Sequence, residues 1–251
     1  MEHPRYPVYV LSKGRADRCL TATFLRDAGI HFWLVVEPQE ADAYANSFGR
    51  SCVIELPFRD RGSVVPARNF VKRHAKGLGK RHWQLDDNIR GIRTWRGDSR
   101  VRCSQPGGAL KEVEDFVDRW KNVAIAGFRS MAYADANRAH AVNRQVYCAV
   151  LVENDALEWR GMRSEDTDYS LQVLAGGRCT VLWCKHMIEK AATQSMKGGN
   201  ERLYAGDGKL QMVREIQKRW PGLIGISRRH GIPRMSLGHV WRKFTTPLRP
   251  A

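Results

Sequence analysis

The stretch RHWQLDD, residues 81–87, decides the fold. It reads as a short β-strand that runs straight into Asp86-Asp87-Asn88, polar residues at a strand end. Upstream the same unit recurs. YPVYVLS (6–12), HFWLVVE (31–37) and SCVIEL (51–56) are apolar runs of strand length, rich in β-branched and aromatic residues. Between them, residues 17–28 carry apolar side chains at helical spacing before Gly29, residues 38–48 start a helix at Pro38, and 64–78 form a basic helix. Strand and helix alternating in this way predict an α/β fold: a mixed, mostly parallel central sheet flanked by helices. In such sheets ligands sit at the carboxyl ends of the strands, which here are Ser12–Arg15, Glu37 and Asp86–Asn88.

Downstream the pattern loosens. Residues 110–120 read as an amphipathic helix, 122–128 and 144–153 as strands, and 129–143 as a polar loop. Residues 166–177 form a helix stopped by glycine, and 178–186 a strand. Residues 189–208, with four glycines, predict a flexible loop, and 209–220 a helix ended by Pro221. The domain expectation is a core over 1–190, with a donor half (1–90) and an acceptor half (91–190). A loop and basic helical extension over 191–251 belongs to the same domain.

The chain has 251 residues, 43% of them hydrophobic and 9% aromatic, which excludes a disordered or fibrous protein. No run approaches the ~18 apolar residues of a membrane span. The N-terminal MEHPRYPVYVLSKGR places charges and prolines where a signal peptide needs an apolar run. A cytoplasmic location with six reduced cysteines is therefore expected, and no membrane partner.

Lys and Arg number 42 against 26 acids, a net charge of +16, which points to a nucleic-acid or phosphorylated partner, with a solvated basic surface or an acidic protein partner as the plain alternatives. The excess is concentrated: residues 59–83 hold eight Lys or Arg and one acid, and 207–251 hold ten and two. The segment 153–168 is acidic by contrast, which suits a divalent cation or a proton.

The candidate residues follow from their chemistry. Adjacent Asp86 and Asp87 repel unless a cation or several donors neutralise them, so they suit Mg²⁺ or Mn²⁺ shared with phosphate oxygens; an Asp-rich turn is the plain alternative. Arg68 can reach a diphosphate and Asn69 a base or ribose, unless both belong to the basic face of a surface helix. Glu165, Asp166 and Asp168 open a helix, where one acid can cap it and three exceed what capping needs; a carboxylate here can act as a general base. His186 follows a strand, two residues after Cys184. It can ligate the same cation as Asp87, or be structural; a Cys179/Cys184/His186 zinc site lacks CxxC spacing and a fourth ligand. No GxGxxG, GxxxxGK[ST] or GxSxG is present.

Taken in order, Ser12-Lys13-Gly14-Arg15 after a strand, Ala67-Arg68-Asn69, Asp86-Asp87-Asn88 and Glu165-Asp166 before a helix resemble a glycosyltransferase of the GT-A fold, family-2-like. The LSKGR, ARNF and QLDDNI segments are similar to phage-encoded TET-associated glycosyltransferases, over roughly residues 6–190. That resemblance implies a UDP-sugar donor, a Mn²⁺ or Mg²⁺ ion, and double-stranded DNA carrying hydroxymethylcytosine or hydroxymethyluracil as acceptor, in a phage-infected host cell. By matched position, Ser12, Lys13, Arg15, Arg68, Asn69 and Asp86 would hold the donor, and Asp87 with His186 the metal. Asp166 would be the base of an inverting transfer, with Glu165 beside it.

The basic segments 90–102 and 228–243 are candidates for DNA contact, through Arg90, Arg93, Trp95, Arg96, Arg228, Arg229 and Trp241, or else are solvated loops. Trp95, Tyr133 or Trp241 could stack in place of a flipped base. Two rival readings are a GT-A transferase with a saccharide acceptor and a non-catalytic DNA-binding protein with a GT-A core.

Overall fold

Val8, Val10, Leu34, Val36, Trp83 and Leu85 are buried on one face of a sheet, and Tyr9 and Val35 on the other, so the first strands are covered on both sides. This explains why they read as continuous apolar runs. A computed structural model describes residues 2–59, 61–133, 138–192, 195–199, 203 and 206–251. In chain order the elements are β1 (Val8–Leu11), α1 (Leu20–Asp27), β2 (Trp33–Val36), α2 (Ala41–Phe48), β3 (Val53–Glu55), α3 (Val65–Ala75), β4 (Arg81–Asp86), β5 (Ile89–Arg96), β6 (Ser99–Arg102), α4 (Pro106–Val117), β7 (Val123–Ser130), β8 (His140–Val142), β9 (Ala149–Glu153), α5 (Glu165–Ala175), β10 (Cys179–Lys190), α6 (Gly208–Arg219), β11 (Gly225–Arg229) and β12 (Ile232–Ser236).

The main sheet runs β3-β2-β1-β4-β9-β7-β10-β5-β6, with β8 paired to β10. Strands β3, β2, β1 and β4 are mutually parallel, as are β7 and β10; β9 runs antiparallel between β4 and β7. The architecture is the mixed α/β sheet with flanking helices that the sequence predicts, and it is compatible with a GT-A fold. Helices α1, α2 and α4 cover one face and pack in the largest core cluster, while α3 and α5 cover the other.

Three segments differ from the sequence reading. Residues 90–102, read as a basic DNA-contact segment or else a solvated loop, are the antiparallel hairpin β5–β6, and its arginine-rich sequence hides the strand pattern. The polar segment 129–143 contains β8, with 134–137 outside the described residues. Strand β10 continues past His186 to Lys190, so residues 189 and 190 leave the predicted loop; Thr193, Gln194, Asn200–Arg202, Tyr204 and Ala205 of that loop lie outside the described residues.

The basic C-terminal segment is fastened to the core. Ile216, Ile224, Val240 and Trp241 pack with Leu171 and Leu174 of α5. Beyond them the chain returns to the sheet: Asn122 Nδ2 donates to the Pro247 carbonyl at 2.9 Å, and Ala251 N to the Arg119 carbonyl at 2.9 Å.

Candidate active site

The carboxyl ends of β1, β2 and β4 bring Ser12, Glu37, Asp86 and Asp87 together, as the strand pattern predicts. Asp87 is buried: Ser12 Oγ donates to its Oδ2 at 2.9 Å and the Arg15 guanidinium pairs with its Oδ1. Burial raises the Asp87 carboxyl above its ordinary pKa, while Arg15 and Ser12 oppose that rise. Ser12 also meets the Tyr44 hydroxyl at 2.6 Å. Lys13 Nζ lies 2.7 Å from Glu37, and the Gly14 amide donates to the Glu40 carboxylate. The loop read as the donor loop therefore holds two cations, each set against a carboxylate.

A second segment covers this loop. Arg15 donates to the carbonyls of Met196, Lys197 and Gly198, and Gly199 N donates to the Lys13 carbonyl at 2.9 Å. Gly198 has a positive φ of 87°, and a Cβ there would fall 2.8 Å from the Gly14 carbonyl oxygen. Only glycine gives this approach without a shift.

Arg68 is the hub of the site. It projects from α3, is 4% exposed, and stacks its guanidinium over the Trp159 ring at 4.7 Å. It reaches Glu165, Gln84 and Asp86, each at 3.3 Å. Burial works against its charge, and Glu165, Asp86 and Asp166 outweigh that and raise its pKa. Pro66 at the start of α3 fixes the helix without needing a donor, which sets where Arg68 points.

Asp166 lies in the first turn of α5, where exposed helix amides favour a carboxylate. Its Oδ1 accepts from Thr167 N at 2.7 Å and its Oδ2 from Gln145 Nε2 at 3.4 Å. Part of the residue stays open to solvent, yet protein crowds the carboxyl and Glu165 adds a like charge. Together these push its pKa up to about 7, while the Thr167 amide and Arg68 hold it down. Ser164, the residue before α5, is left-handed and makes no side-chain cap, so of the acids there Asp166 is the one that takes a first-turn amide. Asp168 is structural. It is fully buried and bonds Arg160 at 2.8 Å, Gln172 at 2.8 Å and Trp220 Nε1 at 2.7 Å.

Lys190, which the sequence reading missed, completes the centre. Its Nζ donates to Cys148 Sγ at 3.0 Å; burial works against its charge, and the nearby Asp86 carboxylate helps to raise its pKa. The thiol is raised by burial and stays protonated. Nothing in the local sequence marks Lys190, because its place depends on β10 running four residues further than its apolar run.

Several expected site residues lie elsewhere. Both ends of the Asn69 amide clamp the Trp159 main chain, at 2.9 Å each, so it holds a loop and does not face the donor mouth. His186 Nε2 lies 2.8 Å from Glu112 of α4. Ala191, which bonds Asn88, is five strand residues further on, about 16 Å at ~3.3 Å per residue, so the chain does not bring His186 to Asp87. Among the described residues no three His, Cys, Asp or Glu side chains converge as a metal-ligand set. Asp87 and His186 do not fit one divalent ion in this arrangement, because Arg15 and Ser12 hold the Asp87 oxygens.

Trp241 is buried in the α5–α6 cluster and cannot offer its ring to DNA. Arg228 is exposed, and the side chain of Arg229 lies outside the described residues. Arg90 and Arg96 are exposed; Arg93 pairs with Glu189 at 2.5 Å, and Trp95 donates to the Cys184 carbonyl at 3.2 Å.

A mixed α/β sheet with carboxylates at its strand ends and a buried Arg beside them is compatible with a GT-A fold. Residues 6–199 match the model of the TET-associated glycosyltransferases, and the chain belongs to that family. It is a glycosyltransferase. The family implies a modified DNA base as the acceptor. No curated protein matches the chain. Among the described residues no helix is long and apolar enough to cross a membrane.

Proposed function

We propose that this enzyme moves a sugar from a UDP-sugar to the hydroxymethyl group of a modified pyrimidine in double-stranded DNA, with Asp166 as general base. The observation that carries the reading is the Asp166 carboxyl itself. Its pKa near 7 suits a base that works at neutral pH, and it stands beside Arg68 and Asp86 at the end of the donor strand. In the transfer, Asp166 takes the proton of the hydroxymethyl oxygen. That oxygen forms a bond to the anomeric carbon as the bond from that carbon to the diphosphate oxygen breaks, and UDP leaves. One displacement inverts the anomeric centre.

The leaving diphosphate gains negative charge, and Lys13, Arg15 and Lys190 are the cations placed to meet it. Arg68 holds Asp86 and Glu165, and so orients the helix that carries Asp166. Each cation already has an acidic or polar partner, so donor binding exchanges one set of partners for another. Mn²⁺ or Mg²⁺ belongs to the proposal only if Arg15 first releases Asp87; none of these steps runs through it.

The test is UDP release with three acceptors: hydroxymethylcytosine duplex, hydroxymethyluracil duplex and unmodified duplex. Release that rises only with a hydroxymethylated duplex supports the reading. Equal release with all three removes the hydroxymethyl group as acceptor and returns the saccharide alternative.

A further inference from the structure

Pairing across four neighbouring strands sets a row of cations on one face of the sheet. Arg102 of β6 lies opposite Arg93 of β5, Arg93 opposite Met187 of β10, and Met187 opposite Arg129 of β7. Directly paired residues share a face. Three strand spacings at about 4.8 Å make the row about 14 Å long. Two residues along β5, Trp95 shares that face and lies opposite Arg100, whose guanidinium sits 5.3 Å from the ring.

Strand parity fixes which face this is. Ile92 and Ile188, the neighbours of Arg93 and Met187, belong to the core under α1 and α4, so the row points away from those helices. On β7, Ile125 packs with Tyr169 and Val173 of α5, and Arg129, four residues on, shares its face. The row therefore lies on the side of the sheet that carries α5 and Asp166. Arg100 and Arg102 are exposed there, and Arg93, Arg129 and Trp95 half-buried.

Like charges directly opposite each other cost stability. Glu189 neutralises Arg93, while Arg100 and Arg129 donate to the carbonyls of Met131 and Tyr133. Those two arginines thus hold a turn that presents the Tyr133 ring, 67% exposed, to solvent. A row of basic side chains beside one exposed aromatic ring matches a nucleic-acid backbone better than a protein surface.

The spacing to the active centre fits the same partner. Met187 is three strand residues from Lys190, about 10 Å at ~3.3 Å per residue, and Lys190 stands beside Asp86. The major groove of B-DNA is about 8.5 Å deep, and a pyrimidine 5-substituent lies on its floor. We propose that Arg102, Arg93 and Arg129 form a phosphate track that seats the acceptor duplex with its major groove facing Asp166. The inference rests on the DNA-acceptor reading and adds where the duplex lies. It also divides the predicted contacts: Arg93 and Trp95 belong to the track, and Arg100, Arg102 and Arg129 join them.

The experiment is the salt dependence of binding to a fluorescein-labelled 20-base-pair duplex, read by anisotropy. Each lost phosphate contact reduces the slope of log K against log salt by about 0.9. Arg102→Gln is expected to reduce it by about 0.9, and Arg102→Gln with Arg129→Gln by about 1.8. Arg26→Gln, on α1 across the sheet, is expected to leave it unchanged, and UDP release without DNA is expected to match wild type in all three. Arg102 is exposed, so the single variant stands as the test even if the double variant melts early. An unchanged slope in Arg102→Gln and the double variant overturns the track and leaves the DNA-acceptor reading in place. Wild-type protein with no salt-dependent duplex binding overturns both.

Discussion

The Arg68 guanidinium lies 3.3 Å from the Glu165 carboxylate, which ties the helix behind the donor strand to the helix that carries Asp166. Base and donor mouth are therefore coupled through one buried cation. Arg68 also stabilises ionised Asp166. Arg68→Gln removes that charge, so the acid limb of the pH–rate profile should move to higher pH than in wild type. A limb that stays in place would show that Arg68 does not act on the base. Because Glu165 and Asp86 lose a buried partner, the variant should also lose about 3–5 kcal/mol in urea unfolding.

Asp166→Asn should lower kcat by about 10²–10⁴, the usual contribution of a general base, and leave donor affinity unchanged in calorimetry. In wild type, kcat should rise about tenfold per pH unit below the Asp166 pKa of about 7 and level off above it.

The same raised pKa has a stability consequence. Folded Asp166 holds its proton more tightly than the unfolded chain, whose Asp titrates near 3.9. Its contribution is therefore full below pH ~3.9 and is lost as pH rises through about 7. Asp166→Asn should melt above wild type at pH 8 and close to it at pH 4, by differential scanning fluorimetry.

Arg15 and Asp87 form an ion pair with side chains 10% and 8% exposed. Removing one partner leaves a buried charge, so Arg15→Gln and Asp87→Asn should each cost about 3–5 kcal/mol. The double variant should cost clearly less than their sum, as measured by a double-mutant cycle in urea. Additive costs would mean that the two side chains do not pair in solution.

His82 is held neutral in the core. Burial lowers its pKa to about 4, and it meets Asn154 and Gln84 at 2.5 and 2.8 Å. Unfolded His takes its proton near 6.5, so stability should fall as pH drops from 6.5 towards 4. His82→Gln should flatten that acid limb in pH-dependent thermal melts.

What could be read from the sequence is what local patterning determines. Strands β1, β2 and β4 are buried on both faces and their helices are amphipathic, so their apolar runs and stop residues place Ser12, Asp86 and Asp87 at one sheet end. The excess of acids over what a helix start needs marks residues 165–168 as holding a candidate base, and only the family resemblance singles out Asp166 among them. The remainder depends on contacts distant in sequence. Asn69 carries a polar side chain on a basic helix, and only the loop around Trp159 shows that both its amide ends are taken. His186 looked like a ligand because strand length was judged from its apolar run; β10 passes it and delivers Lys190 instead. Trp241 sat among arginines, yet its ring is covered by Leu171 and Leu174 of α5. The β5–β6 hairpin was hidden because arginines fill the outward positions where a strand pattern would show.

The most direct measurement is mass spectrometry of the nucleosides from hydroxymethylcytosine and hydroxymethyluracil duplexes, after incubation with the enzyme and a panel of UDP-sugars. Wild-type protein should add one sugar mass to the hydroxymethylated base, Asp166→Asn should add almost none, and unmodified duplex should gain nothing. An unmodified mass on both hydroxymethylated bases, with a saccharide glycosylated in the same tube, would contradict the account.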